Sequence, residues 1–267
     1  MRLFHSLPLI SFAAHSCVAE PSSEPQYVFS NPPVSESGYR IPTSYESAVL
    51  GRRILALSPL GTVGTVFPSS SDGHFSSQEN RPDGLGGMPH ALMEYVADCE
   101  DEGNPTFLAI NIETSFKNVR DGSNISLSQQ WTPRYPPDKR IKSTLFDWIF
   151  GRDKSEDTVP YSAANLPRFS LLGYIEKIDS MPTEALASCF VSKHSDAKYW
   201  LPGNRIHFSE FVRLVVTQVY WVGGFGDRAY IGWIPVEEWK NVTRKEWEAV
   251  TLPGEKKGWK EWTVGDL

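Results

Sequence analysis

The residues able to carry chemistry in this 267-residue chain are few and widely spaced. Beyond the first 19 residues the histidines are His74, His90, His194 and His207. None stands at metal-ligand spacing from a cysteine or another histidine, so no zinc centre is expected. The chain has no G-x-S-x-G elbow, no H-E-x-x-H helix and no phosphate-binding G-x-x-x-x-G-K. Gly223, Gly224 and Gly226 follow one strand-like run and lead into another, which a dinucleotide fingerprint does not do. A Ser–His–Asp triad would converge from distant positions, and nothing in the sequence points to one. No catalytic residue emerges. Modification chemistry is better marked, because Asn124-Ile125-Ser126 and Asn241-Val242-Thr243 both fit the N-glycosylation acceptor pattern.

Those acceptors are used only in a chain that enters the secretory pathway, and the N-terminus predicts such entry. Arg2 supplies a positive start, Leu3 to Ala14 is a short apolar stretch, and Cys17 and Ala19 stand at the −3 and −1 positions of a small-residue cleavage site. Residues 1–19 are therefore expected to be a signal peptide, with delivery outside the cell or to a vacuolar, endolysosomal compartment. Its removal leaves Cys99 and Cys189 as the only thiols in an oxidising environment. They form either a bridge or two separate buried thiols. Lys and Arg number 26 against 32 Asp and Glu, a net charge of −6. That deficit of cations excludes bulk nucleic-acid binding. No apolar run after Ile10 approaches the ~20 residues of a spanning helix, so no membrane span is expected.

The elements that must position these residues follow from periodicity. Residues 20–42, rich in Pro, Ser and Glu, read as an extended leader. Thr43-Ser44-Tyr45-Glu46 is a capping box opening a helix with Leu50, Ile54 and Leu57 on one face, and Arg52 and Arg53 toward solvent. The period then alternates. Thr62 to Phe67, Met88 to Asp98, Thr106 to Glu113 and Ile125 to Ser128 read as strands, with a polar loop at 68–87. Residues 131–160 interrupt the pattern as an insertion whose aromatic turn, Leu145 to Phe150, is expected to fold back on the domain. Arg168 to Ile178 is a strand, Pro182 opens a helix to about His194 with Leu186 and Phe190 inward, and Val212 to Val222 and Ala229 to Ile234 are strands. Residues 244–267 form a tail without a clear period. Strands joined by short connectors predict an antiparallel sheet or barrel rather than βαβ units.

Several stretches, taken in order, resemble the CREG-like branch of the pyridoxamine-phosphate-oxidase-like split barrels. They are Ala48 to Phe67, Asn118 to Leu127 as a strand, Lys193 to Trp200, Phe208 to Gly226, and Glu238 to Thr243. The resemblance spans roughly residues 43–243. It implies a mainly β, α+β fold built on a six-stranded antiparallel split barrel flanked by a few helices, a homodimer, and a secreted or endolysosomal glycoprotein without established catalysis. Flavin-binding relatives hold FMN at the dimer interface with an Arg on the second strand and a Ser/Thr-Arg-Lys stretch after the third. Here the corresponding stretches read Met88-Pro89-His90-Ala91-Leu92-Met93 and Thr114-Ser115-Phe116-Lys117-Asn118. The first has no Arg and the second keeps hydroxyls and one Lys. A phosphate dianion held by a single cation is poorly compensated, since Arg supplies the bidentate bonds such groups need.

The expected function is that of a non-catalytic glycoprotein that has lost flavin binding, with no cofactor and with a second copy of the chain and a protein or glycan receptor as partners. The alternative is an FMN-dependent oxidoreductase in which His90, Ser115 and Lys117 form an altered FMN site.

Overall fold

The computed structural model describes residues 40–69, 82–137, 163–226 and 229–259. Residues 1–19, expected to be a signal peptide, most of the leader and of the 68–87 loop, and residues 138–160 of the insertion lie outside the described residues. The described residues fall within one unit, Val34–Leu267. Thr43 caps α1 (Ser44–Leu57) by accepting from the Glu46 amide, and the Glu46 carboxylate returns to the Thr43 N–H, the reciprocal box written in the sequence. The strands follow: β1 (Leu60–Val66), β2 (Pro89–Tyr95), β3 (Thr106–Ile110), β4 (Ile125–Gln130), β5 (Arg168–Lys177), β6 (Ser209–Val222) and β7 (Ile231–Ile234). The helices after α1 are α2 (Thr114–Arg120), α3 (Thr183–Lys193), α4 (Val236–Asn241) and α5 (Arg244–Ala249).

All strand pairs are antiparallel, in the order β2-β1-β4-β5-β6-β3, with β7 added on β6. The two ends of that path, β2 and β3, meet through an isolated bridge between Ala97 and Thr106. Six strands thus curl into a barrel that stays split between β2 and β3, and β7 is a seventh strand beyond the expected six.

Burial explains the strand patterns. β1 alternates, with Val63 and Thr65 inside and Val66 exposed. β3 does not alternate because it is covered on both faces. Phe107 enters the main core with Ile54, Leu127, Leu171 and Trp221, while Leu108 enters a second cluster with Leu186, Phe190 and Phe211. The second cluster is the seam on which α3 sits, and Leu186 and Phe190 face inward as expected. Cys99 and Cys189 pin that seam as a disulfide, with Cα atoms 5.9 Å apart.

Four expectations need correction: a strand start, the buried face of α1, the solvent exposure of its two arginines, and the tail. Asn118 to Arg120 is the last turn of α2, not the start of a strand, and the strand begins only at Ile125. The stripe that α1 buries is centred on Ala48, Arg52 and Leu55, one step round from the expected face; Leu50 and Leu57 are only partly buried. Arg52, expected in solvent, has no exposed surface. Its Nη1 donates to the Trp239 and Val242 carbonyls, each at 3.2 Å, and its Nη2 to the Asp101 carbonyl at 2.7 Å and Asp98 Oδ2 at 3.4 Å. Arg53 is also mostly buried, paired with Glu255. Residues 244–259, set apart above as part of a tail, are packed: Trp247 and Leu252 join the main core, and Trp131 Nε1 donates to the Pro253 carbonyl.

Removing one partner of a buried pair strands the other charge, a loss of about 3–5 kcal/mol. Arg52→Met is therefore expected to lower unfolding free energy by about 3 kcal/mol or more in urea titration, and adding Asp98→Asn to recover part of that loss.

Candidate functional site

The open edge of the split barrel is where α2 docks. Two of its residues turn inward and find partners on the sheet. Ser115 Oγ donates to Glu94 Oε1 of β2 at 3.1 Å, and Asn118 Nδ2 donates to Thr65 Oγ1 of β1 at 3.1 Å. Phe116 meets Phe107 edge-on, with ring centroids 6.0 Å apart. Glu113 stands at the N-cap of α2, and its Oε2 accepts from the Ile110 N–H at 3.0 Å.

The result is a pair of carboxyls on an apolar wall. Glu94 and Glu113 line a cavity of about 370 Å³ together with Met93, Ile112, Trp200 and His207. Burial raises the Glu94 carboxyl above its ordinary value, against the opposing pull of the Ser115 hydroxyl. Glu113 is pushed up to about 7, chiefly by burial and further by the charge of Glu94, while the Ile110 amide works against the rise. Met93 and Ile112 at the rim are exposed, as are Ile206 and Phe208 in the segment that leads into β6.

The three residues named as a flavin-contacting set do not share a cavity. Ser115 is buried between α2 and β2. Lys117 lies in the last turn of α2 and lines a separate cavity of about 290 Å³ with Arg120, Asn111 and Phe208. His90 pairs across from Thr65 on β1, packs its ring 5.2 Å from that of Phe67, and lines a groove of about 560 Å³ that also borders β4, β5 and β6.

The remaining marked residues divide between structure and surface. His194 is buried, its Nε2 is 3.0 Å from the Val96 carbonyl, and its ring stacks on Tyr95 at 4.5 Å. That is a packing role. His74 lies outside the described residues. Asn124, just before β4, and Asn241, at the end of α4, both have exposed side chains. No helix among the described residues is long and apolar enough to cross a membrane.

Sequence reasoning missed the carboxyls. Glu94 carried no clear signal, because β2 does not alternate and the carboxyl's half-buried place opposite Gly61 depends on the sheet register. Glu113 carried none, because its burial depends on how α2 folds over the edge.

No curated protein matches this sequence. Among solved structures, the chain is similar to the heme binding protein from Mycobacterium smegmatis, at 17% identity and a TM-score of 0.48, covering 74% of this chain and 60% of that one. It is also similar to the protein Atu2129 from Agrobacterium tumefaciens, at 17% identity and a TM-score of 0.44, covering 82% of this chain and 64% of that one. Campylobacter jejuni ChuZ is a third, at 8% identity and a TM-score of 0.44, covering 74% of this chain and 65% of that one. The chain thus spans less than two thirds of the length of each of these three proteins. Residues 42–241, which run from the entry of α1 to the end of α4, match the family model for the CREG beta-barrel, and the chain therefore belongs to the CREG beta-barrel family.

Proposed function

We propose that this protein is a non-catalytic, secreted or endolysosomal glycoprotein that acts through the surfaces of a homodimeric split barrel and has lost flavin binding. The observation that carries the reading is the bond from Ser115 to Glu94, with Glu113 on the same cavity. The hydroxyl that would meet a phosphate donates instead to a carboxylate. At neutral pH a phosphate brought there would face negative charge in a partly desolvated place, and at any pH it would find the Ser115 hydroxyl already bonded to Glu94. At ~5 Å and an effective dielectric of ~20, each pair of unit charges costs about 3 kcal/mol. Lys117 lines another cavity. These residues do not fit a flavin phosphate.

Delivery to an acidic compartment agrees with the carboxyl pair. At pH 5 a carboxyl titrating at about 7 is neutral and its burial costs little. A homodimer agrees with the exposed Met93, Ile112 and Phe208, because large apolar side chains gathered at one edge mark an association surface.

Purified protein is expected to be colourless and to leave the absorbance of added FMN near 450 nm unchanged on equilibrium dialysis. Retention of stoichiometric flavin would favour the FMN-dependent oxidoreductase reading instead. Thermal melts should carry the signature of Glu113. The folded carboxyl keeps its proton to about 7 while the unfolded one releases it near 4.5, so the native state binds more protons between those values. Its stabilising contribution is full below the lower value and is lost as pH rises through the upper one. Glu113→Gln is expected to raise the melting temperature at pH 8 by roughly 3–6 °C and to leave it nearly unchanged at pH 4.5. Light scattering after size exclusion should give a dimer for the native chain, and half that mass for the Met93→Glu, Phe208→Glu double variant.

A further inference from the structure

The largest groove described above borders the outer face of the barrel, and one of its rim residues is a glycan acceptor. Because Ile125 points into the core, its neighbours Asn124 and Ser126 point out. Ile125 pairs with Gly173 of β5, so one further step of the same antiparallel register sets Asn124 opposite Tyr174. Both line the groove. Tyr174 is 53% exposed, so the groove keeps an aromatic face open to solvent next to an exposed acceptor.

The floor of the groove is shaped by small residues and by an irregularity. Gly64 lies opposite Ser126, and a Cβ there would stand 2.7 Å from Ser126 Oγ, so a side chain would have to turn that hydroxyl aside. The β5–β6 register shifts between Leu172 and Gly173, which leaves Thr217 as an extra residue on β6, its hydroxyl donating to the Leu172 carbonyl. The bulge breaks the flat sheet where Thr217 and Gln218 offer polar groups. An aromatic face at one side and polar side chains at the other match a pyranose ring, which has an apolar face of C–H bonds and a rim of hydroxyls.

We infer that an N-linked glycan on Asn124 lies along this groove, with its first N-acetylglucosamine stacked on Tyr174. Side chains directly opposite in an antiparallel pair have Cβ atoms about 5 Å apart, which is the offset that lets a sugar joined to one lie over the ring of the other. The glycan would then cover Val66 and Leu172 on the same face. This inference rests on the secretory reading above, and Asn241 serves as the internal reference that separates the two.

The test uses protein secreted from cells that add high-mannose glycans, with site-resolved mass spectrometry and the rate at which an endoglycosidase cuts the folded protein at each site. Both sites should be occupied, and cutting at Asn124 should be slower than at Asn241. Tyr174→Ala should speed cutting at Asn124 roughly fivefold, equivalent to about 1 kcal/mol, with Asn241 unchanged, and Tyr174→Phe should restore the slow rate. Occupancy at Asn241 with Asn124 bare would overturn this inference and leave the glycoprotein reading standing. Both sites bare would overturn both. An occupied Asn124 cut at the same rate in the native and Tyr174→Ala proteins would overturn the stack.

Discussion

Burial of the Arg52 guanidinium is the interaction on which the rest of the structure depends. A cation stripped of water is tolerated only where its donors meet acceptors, and Arg52 has three carbonyls and one carboxylate from segments far apart in sequence. Two of those carbonyls belong to Trp239 within α4 and to Val242 just after it, and the other groups belong to the turn between β2 and β3. The turn comes close enough only because Gly103 has φ +74° and no Cβ; a side chain there would lie 2.6 Å from Trp239 Nε1 and 2.9 Å from Arg52 itself. Trp239 closes the arrangement by donating its indole N–H to the Gly103 carbonyl at 2.9 Å. The cost is visible at Asp98, whose carboxyl burial pushes up despite the cation beside it. Lys193 reaches the same neighbourhood from α3 and donates to the last carbonyls of α1 at Leu55 and Ala56, with burial drawing its ammonium down to about 8.

The β2–β3 turn is consequently held from two sides. Arg52 grips it from beneath the barrel wall, and the Cys99–Cys189 bridge ties it to α3. Arg213 on β6 adds a 2.7 Å bond to Glu100, which is almost fully buried. These anchors fix the two strand ends that the sheet itself joins by a single bridge. A barrel that does not close through a full ladder needs such outside fastening, because an unpaired strand end frays.

How much of this was legible in the sequence depended on the range of the interaction. The capping box of α1 was written in four consecutive residues, and the structure matches it. Strand alternation in β1 and the inward pair Leu186 and Phe190 were equally local. Arg52 was misplaced because its charge outweighed its position; it shares a helical face with Ala48 and Leu55, and its acceptors at Trp239 and Val242 lie almost 190 residues away. The same holds for the tail, where Thr243 and Glu246 form a second capping box that the sequence contains and that opens α5, while Trp247 shows its purpose only against the core. At the candidate site, Ser115 is singled out by type, but the sequence does not show that its hydroxyl donates to Glu94 on β2. His90, Ser115 and Lys117 form a set by resemblance, but α2, read in part as a strand, turns Ser115 and Lys117 toward different spaces, and His90 on β2 lines a third.

The division between anchor and edge explains how one fold can keep its shape while its site changes. The groups that hold the barrel together, Arg52, Trp239, Asp98 and the disulfide, gather around the β2–β3 turn and the α1–α4 face. The carboxyls of Glu94 and Glu113 stand at the open edge, in bonds local to α2 and its neighbours. Charge there can be altered without disturbing a buried partner of the core, since neither carboxyl bonds to the Arg52 cluster. The edge keeps an apolar rim beside two carboxyls whose neutral form burial favours, so its charge falls as the surroundings acidify.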